Sequence, residues 1–190
     1  MLPLIAPADP LVRPPVHIFK RREMLPLEAN FLWQIQFGAV RLLTLSEDGT
    51  QITLGFCESG DLTGQPFLCI QPSEIECLTK VQAVLLSPEQ CWNFQQVMRS
   101  HLHQMQELIR FRQGQIPQRL QQLLSWLALK FGHPIHQGRL IQLRLTHQDI
   151  ADAIGTTRVT VTRLMQDLER SGEIGYSPKK CIIVYESLAK

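Results

Sequence analysis

Short runs of alternating hydrophobic and polar residues fill the chain between positions 16 and 86. An alternating run presents one face to a core and the other to solvent, as a β-strand does. The alternation is clearest at 31–37 and 40–45, and it resumes at 52–56 after the hairpin-like turn sequence at 47–49. Several short strands separated by turns predict a small barrel, roll or sandwich.

The hydrophobic spacing becomes helical after residue 87. Ser87, Pro88 and Gln90 form a helix-start signal, because serine caps a first turn, proline fits it and glutamine can complete a capping box. From there to residue 113 the chain has neither Gly nor Pro. A helix over 88–113 would be about 39 Å long, which favours pairing with a second helix. The predicted dimerisation seam consists of Phe94, Val97, Met98, Leu102, Met105 and Ile109.

Gly114 and Pro117 interrupt this pattern, so we expect the long helix to break or kink there. A second amphipathic helix is predicted over 119–130, followed by a strand over 138–145. The chain then divides into a strand-rich unit at 1–87, a long helix at 88–113 and a mainly helical unit at 114–190.

The stretch TTRVTVTRL, residues 156–164, carries β-branched residues at alternate positions and could form a strand. Its neighbours favour a helix. Thr146 and Asp149 form a capping box for a short helix, and Gly155 can supply the left-handed turn that ends it. Thr157 can then cap a second helix that runs to about residue 170. Apolar residues fall where two crossing helices must pack, at Ile150, Ala151, Ile154, Val161, Leu164 and Leu168, which predicts a helix-turn-helix.

The outer face of the second helix carries Arg158, Val159, Thr162 and Arg163. Arginine can bond guanine bidentately in the major groove, and valine can contact a thymine methyl group. These four residues are therefore predicted to read DNA bases. The alternative is a helix face that is basic but merely solvated.

Other residues around the two helices suit the DNA backbone. Residues 171–185 resemble a β-hairpin wing with two lysines at its tip, for which solvated turn lysines are the alternative. The predicted phosphate contacts are Gln148, Thr157, Thr160, Lys179 and Lys180.

The chain resembles the cyclic-AMP receptor/fumarate–nitrate regulator (Crp/Fnr) family of transcription factors. The resemblance is strongest over LTHQDIADAIGTTRVTVTRLMQDLERSGEI, where the chain is similar to the cyanobacterial nitrogen-regulator branch, and VRLLTLSEDGTQITLGFCESGDLTG is similar to the core of the family's roll. It implies an α+β fold with an N-terminal, cupin-like β-roll, a dimerisation helix and a C-terminal winged helix-turn-helix. It also implies a homodimer that binds palindromic DNA and contacts RNA polymerase.

Within that resemblance, Arg158, Val159 and Arg163 fall at the family's main base-reading positions. The cyclic-AMP receptor branch has glutamate where this chain has Val159, whereas the nitrogen-regulator branch has valine. The resemblance therefore implies a GTA–eight bases–TAC palindrome rather than a TGTGA-type site.

The resemblance is weakest where an effector of the family would bind. The phosphate-binding segment of cyclic-nucleotide sensors, with its Arg-Ser pair, is not found, and the roll after Gly64 is short. The arginine that binds 2-oxoglutarate falls at Ser100, beside Arg99, and the accompanying glutamate falls at Met105. No cofactor is predicted, and the sequence argues against both cyclic AMP and 2-oxoglutarate.

Composition changes this picture little. The net charge is only +2 and the five cysteines form no CxxC motif. The N-terminus lacks the basic region of a signal peptide and no long apolar run is present, so we expect a cytoplasmic protein without a membrane span.

Two alternatives remain. A metal-dependent, cupin-like enzyme with a helical appendage would need clustered histidines, and the strand region has only His17. DNA binding could also be constitutive or governed by a thiol switch at Cys91 or Cys181. The spacing of His133 and His136 suits a loop better than a metal site, because Pro134 lies between them.

Overall fold

The computed structural model describes residues 14–87, 94–186 and 188. Its first part is made of strands: β1 Val16–Phe19, β2 Met24–Leu25, β3 Leu32–Phe37, β4 Ala39–Leu45, β5 Gln51–Glu58, β6 Leu62–Thr63, β7 Ser73–Cys77 and β8 Val81–Leu86. Its second part is mainly helical: α1 Phe94–Phe111, α2 Ile116–Phe131, β9 Gly132–Ile135, β10 Gly138–Ile141, α3 His147–Ile154, α4 Arg158–Arg170, β11 Ile174–Tyr176 and β12 Ile182–Tyr185.

The first eight strands form a roll of two antiparallel sheets, in the orders β1-β8-β3-β6 and β2-β7-β4-β5. Alternate side chains of both sheets meet in one core that includes Trp33, Ile35, Val40, Leu42 and Ile75. Burial of each such side chain stabilises the fold by about 1.5–3 kcal/mol, which is why the alternating pattern specifies these strands. The predicted α+β class with an N-terminal roll is confirmed.

The long helix is confirmed from Phe94 onward, but it ends at Phe111 rather than 113. Its predicted start signal falls partly on residues 88–93, which lie outside the described residues. The next helix begins at Ile116, earlier than the predicted residue 119. Pro117 does not break that helix, because it occupies the first turn, where a backbone N–H has no helical partner.

The segment after α2 is a hairpin and not a loop. Gly132–Ile135 forms β9, which pairs with β10, and β10 ends at Ile141 rather than at 145. Pro134 is tolerated because β9 is the edge of the sheet β11-β12-β10-β9. The wing strands β11 and β12 belong to the same sheet, as the predicted hairpin requires.

The helical part has a second hydrophobic core, which a few side chains of the roll join. Leu120, Leu124 and Leu127 of α2 are buried in the same cluster as Phe56 and Leu78 of the roll. This continuous packing fixes the helix-turn-helix against the roll. No described helix has both the length and the hydrophobicity needed to cross a lipid bilayer.

Candidate nucleic-acid interface

The helix-turn-helix forms as the capping signals predict. The Thr146 hydroxyl accepts a hydrogen bond from the Asp149 amide at 3.1 Å, and the Asp149 carboxylate accepts one from the Thr146 amide at 2.7 Å. Gly155 ends α3 in the left-handed conformation, with φ of 69°. Thr157 caps α4 by accepting from the Thr160 amide at 3.2 Å. TTRVTVTRL is therefore largely helical, and the strand interpretation is wrong.

The two helices pack through a small apolar interface. Ile150, Ala151 and Ile154 of α3 are buried, as is Val161 of α4. Leu164 is only partly buried, and the neighbouring Met165 fills the interior instead. Met165, rather than Leu164, therefore marks the inner side of α4, and Arg163 lies on the exposed side of the helix.

Three of the predicted base-reading residues stand exposed on α4. Val159 is 80% exposed, and Arg158 and Arg163 are exposed as well. Among the described residues, no hydrogen bond or ion pair engages either guanidinium group. An exposed row with two unneutralised arginines around a bare valine can offer two bidentate donors and one methyl contact to a DNA groove.

Thr162 differs from its neighbours because its hydroxyl is already used. It donates to the Arg158 carbonyl at 2.9 Å and lies 2.8 Å from Nδ1 of His147. One hydroxyl proton cannot serve both, so the imidazole donates to Thr162. Burial, together with the charge of Arg158, lowers the pKa of His147. Thr162 therefore has a methyl group and one lone pair left for a base, and no proton.

The predicted phosphate contacts fall into two groups. Thr157 and Thr160 pair their hydroxyls at 2.9 Å at the start of α4, and Gln148 donates to Asp152 at 2.7 Å. Lys179 and Lys180 stand exposed at the wing tip. The wing turn is held by backbone bonds, including Lys180 N to the Ser177 carbonyl at 2.8 Å, so the lysine side chains are presented by a defined loop.

A buried ion cluster that the sequence pattern did not reveal holds the first helix of the motif. Arg41, whose side chain is 2% exposed, contacts Glu76 at 2.8 Å, Asp149 at 3.1 Å and Asp152 at 3.3 Å. Arg22 bridges Glu76 and Asp149, both at 2.7 Å. Two arginines of the roll thus bind two carboxylates of α3.

The two α3 carboxylates respond differently to this environment. Burial alone would raise the pKa of Asp149, but hydrogen bonds from Arg22 and the Thr146 amide outweigh it and lower the pKa overall. The pKa of Asp152 is raised, because its burial outweighs the bonds from Gln148 and Arg41.

The other end of α3 is held by two more arginines. Arg112 donates to the Ala153 carbonyl at 3.1 Å and to the Asp152 carbonyl at 3.2 Å, and Arg119 donates to the Ile154 carbonyl at 3.3 Å. The last carbonyls of a helix have no partner within the helix, and positive charge beside them interacts favourably with the negative end of the helix dipole. We name Arg22, Arg41, Arg112 and Arg119 the α3 clamp.

A sequence signal for the α3 clamp did exist. Arg41 interrupts an otherwise apolar strand, and Asp149 and Asp152 stand three residues apart, which places them on one face of α3. An arginine inside a strand and two carboxylates on a packed helix face require each other as partners.

The predicted dimerisation helix has two different faces. Leu108 and Phe111 are buried against the rest of the chain. Met98, Leu102, Met105 and Ile109 are exposed and follow one another at spacings of four, three and four residues. Val97 is half-buried, and the side chain of Phe94 lies outside the described residues.

A cavity of about 300 Å³ lies between α1 and the roll, lined in part by Asp61, Leu62, Ser100 and His101. The Asp61 carboxylate is paired with Lys130 at 3.0 Å. His101 lies against the Leu62 carbonyl at 2.5 Å, and burial lowers its pKa. The lining of this cavity therefore contains no unpaired cation.

The thiol and metal alternatives gain little from the structure. Cys181 is buried beside the wing turn, and Cys91 lies outside the described residues. His133 and His136 are exposed on and beside β9. Within the described ranges, no three His, Cys, Asp or Glu side chains are grouped closely enough to hold a metal ion.

Known proteins with similar sequences support this arrangement. The Crp-like helix-turn-helix domain matches residues 118–188. Regulatory protein CysR of Synechococcus elongatus is 38% identical over 190 residues, which cover 97% of this chain and 90% of that protein. The global nitrogen regulator of the same organism is 33% identical over 169 residues, which cover 80% and 76% respectively.

Solved structures agree. A transcriptional regulator of the CRP family from Thermus thermophilus is 25% identical and superimposes with a TM-score of 0.72, over 91% of this chain and 96% of that one. FixK2 from Bradyrhizobium japonicum, at 20% identity, shares the fold with a TM-score of 0.74, over 91% and 93%. CysR, the global nitrogen regulator and the Thermus protein are regulators, so the prediction of a regulator rather than a metal-dependent enzyme is confirmed. The chain belongs to the Crp/Fnr family of DNA-binding transcription regulators.

Proposed function

We propose that this protein acts in the cytoplasm as a homodimer that binds a palindromic DNA site of the GTA–eight bases–TAC type. The observation that carries the proposal is the exposed row of Arg158, Val159 and Arg163 on α4, where neither guanidinium has a partner among the described residues.

The chemistry of this row suits a half-site that contains both guanine and thymine. Each arginine can donate two hydrogen bonds to O6 and N7 of a guanine, and Val159 can contact a thymine methyl group. Valine cannot accept the cytosine N4 proton, as a glutamate at this position would. Val159 therefore favours a GTA half-site over a TGTGA half-site.

The exposed stripe on α1 supports the dimer. Apolar side chains at spacings of four and three form the seam of a paired helix, and burial of the stripe against its copy would remove it from water. A symmetric pair would place the two α4 helices about 34 Å apart, one turn of DNA, on the same face of the duplex.

Binding in our proposal needs neither cyclic AMP nor 2-oxoglutarate. Both ligands are anions, and the described lining of the α1 cavity contains neither lysine nor arginine, while its acidic residue, Asp61, is already paired with Lys130. Arg99, next to Ser100 in α1, is exposed and is not among the lining residues. Family membership extends the proposal to contact with RNA polymerase on the bound promoter.

Affinity should be measured at one salt concentration on three duplexes: GTA–eight bases–TAC, TGTGA–six bases–TCACA and a scrambled site. We expect tight, ligand-free binding to the first. Equal affinity for all three would overturn sequence-specific binding. Tight binding only after 2-oxoglutarate or cyclic AMP is added would overturn the ligand-free part alone.

A further inference from the structure

A basic pocket joins the roll to the DNA-binding part of the molecule. We define it by its charged lining residues, Arg21 of the roll, Arg144 before α3, and Lys179 and Lys180 of the wing. Its volume is about 430 Å³, and Thr146, the cap of α3, also lines it. No acidic residue is among its lining residues, so four positive charges face one space.

Arg21 is held in position without being neutralised. Its Nη2 donates to the Arg144 carbonyl at 2.7 Å and its Nε donates to the Leu78 carbonyl at 3.1 Å. Both acceptors are uncharged. The neighbouring Arg22, in contrast, binds two carboxylates. Arg21 therefore keeps its full charge, and Nη1 remains available to an anion.

The other three cations of the basic pocket also lack a counter-charge among the described residues. In the part of the chain that the structure describes, the side chains of Arg144, Lys179 and Lys180 make no ion pair, and all three residues are exposed. Cations crowded without counter-charges repel one another, and an anion that enters the pocket relieves that repulsion. A phosphate oxyanion suits a cluster of guanidinium and ammonium groups.

We propose that the basic pocket receives a backbone phosphate of DNA that flanks the palindrome, with Arg21 and Arg144 as the new contacts. The wing lysines line both the pocket and the proposed DNA surface, so the two surfaces are continuous. The roll would thereby take part in DNA binding and extend the footprint beyond the half-site. This inference rests on the proposed DNA binding, and the phosphate of a free phosphorylated molecule is the competing source.

The test compares two duplexes with the same palindrome. One ends just outside the half-sites, and the other continues for about one helical turn, roughly 10 base pairs, on each side. We expect wild-type protein to bind the long duplex more tightly. Arg21→Ala and Arg144→Ala should remove that advantage and leave affinity for the short duplex unchanged, because neither residue lies on α4.

Lys20→Ala is the matched control, because Lys20 is an exposed cation beside Arg21 that does not line the basic pocket. It should retain the length advantage. Salt dependence gives a second readout: the slope of log affinity against log salt on the long duplex should become shallower by about 0.9 for each phosphate that the variant no longer binds. Arg144→Ala also separates a lost contact from misfolding. The Arg144 side chain has no described partner, so its removal should leave the fold intact.

Two outcomes would overturn the proposal. A length advantage that survives both arginine substitutions would show that other residues bind the flanks. If wild-type protein shows no length advantage, the proposal fails. Binding of inorganic phosphate should then be measured by calorimetry. Saturable binding by the wild type that is abolished in Arg21→Ala would identify the basic pocket as a site for a free anion. Loss of preference for the palindrome over scrambled DNA on the short duplex would instead mark failure of the proposed function.

Discussion

At the scale of single residues, exposure and existing bonds together decide which side chains of α4 remain for DNA. Helical spacing correctly predicted that Arg158, Val159 and Arg163 face solvent. It could not show that the Thr162 hydroxyl is bonded to the Arg158 carbonyl and to His147. Periodicity reports which face a residue occupies, whereas a hydrogen bond depends on the neighbouring helix.

Arg163→Ala should weaken binding to the preferred duplex by about 1–3 kcal/mol and relax preference at one G·C pair, because alanine cannot donate the two hydrogen bonds to guanine. Binding should be measured on duplexes in which each half-site base pair is changed in turn. Arg170→Ala is the matched control, since Arg170 is an exposed arginine of the same helix whose ion pair, among the described residues, is with Asp167 alone. A uniform weakening on all sequences would mean that Arg163 binds a phosphate.

At the scale of secondary-structure elements, α3 has the most unusual environment. Its ends and its polar face are held by the α3 clamp, whose arginines come from the roll and from the junction of α1 and α2. The caps of α3 could be predicted from local sequence, because a capping box is a contact between residues three apart. Arg22 and Arg41 lie more than a hundred positions from the carboxylates of α3 that they bind, and only the fold brings them together.

Arg41→Ala should lower the free energy of unfolding by about 3–5 kcal/mol, because the carboxylates of Glu76, Asp149 and Asp152 would be deprived of a buried partner. Urea denaturation measures the change. Arg170→Ala removes an exposed ion pair and should cost less than about 1 kcal/mol. Equal, small losses in the two variants would mean that the buried cluster contributes little.

Acid sensitivity follows from the lowered pKa of Asp149. The folded pKa lies below the ordinary value of 3.8, so the ionised carboxylate stabilises the fold above that value. This contribution is lost as the pH falls toward the folded pKa. Asp149→Asn should therefore be less stable at pH 7 and lose less stability on acidification below about pH 4.

Denaturation at several pH values from 7 to 3 tests this expectation. Asp167→Asn is the control, because Asp167 is exposed and paired only with Arg170. Its stability curve should run parallel to that of the wild type. Wild-type acid sensitivity retained in full by Asp149→Asn would assign that sensitivity to other carboxylates.

At the scale of the whole molecule, the exposed stripe of α1 is an apolar surface that the single chain leaves uncovered. Leu102→Glu should convert the dimer that we propose to a monomer, because a charge would then lie in an apolar seam. Sedimentation equilibrium measures the association state. Leu129→Glu is the control: Leu129 is 70% exposed on α2, outside the stripe, and Leu102 is 53% exposed.

The monomer should also bind the palindrome far more weakly, since only one α4 helix engages the DNA at a time. If Leu102→Glu remained dimeric, the stripe would not be the seam. If Leu129→Glu dissociated as well, the dimer surface would lie elsewhere or extend over both helices.

The division of the molecule was only partly visible in its sequence. The change from alternating to helical spacing predicted a roll, a long helix and a helix-turn-helix, and the structure has these elements in that order. It did not reveal that Phe56 and Leu78 of the roll join the helical core, because hydrophobic spacing shows that a residue is buried but not against which element.

The α3 clamp has a consequence for how such a regulator could be controlled. A ligand that moved α3 away from the roll, and shifted the protein from about 1% to about 99% in that state, would need about 5.5 kcal/mol of differential affinity. It would also have to compensate the ion pairs that break. For the ligand-free binding that we propose, with α3 fixed to the roll, occupancy of a promoter would follow the number of protein molecules in the cell, and synthesis and degradation of the protein would carry the signal.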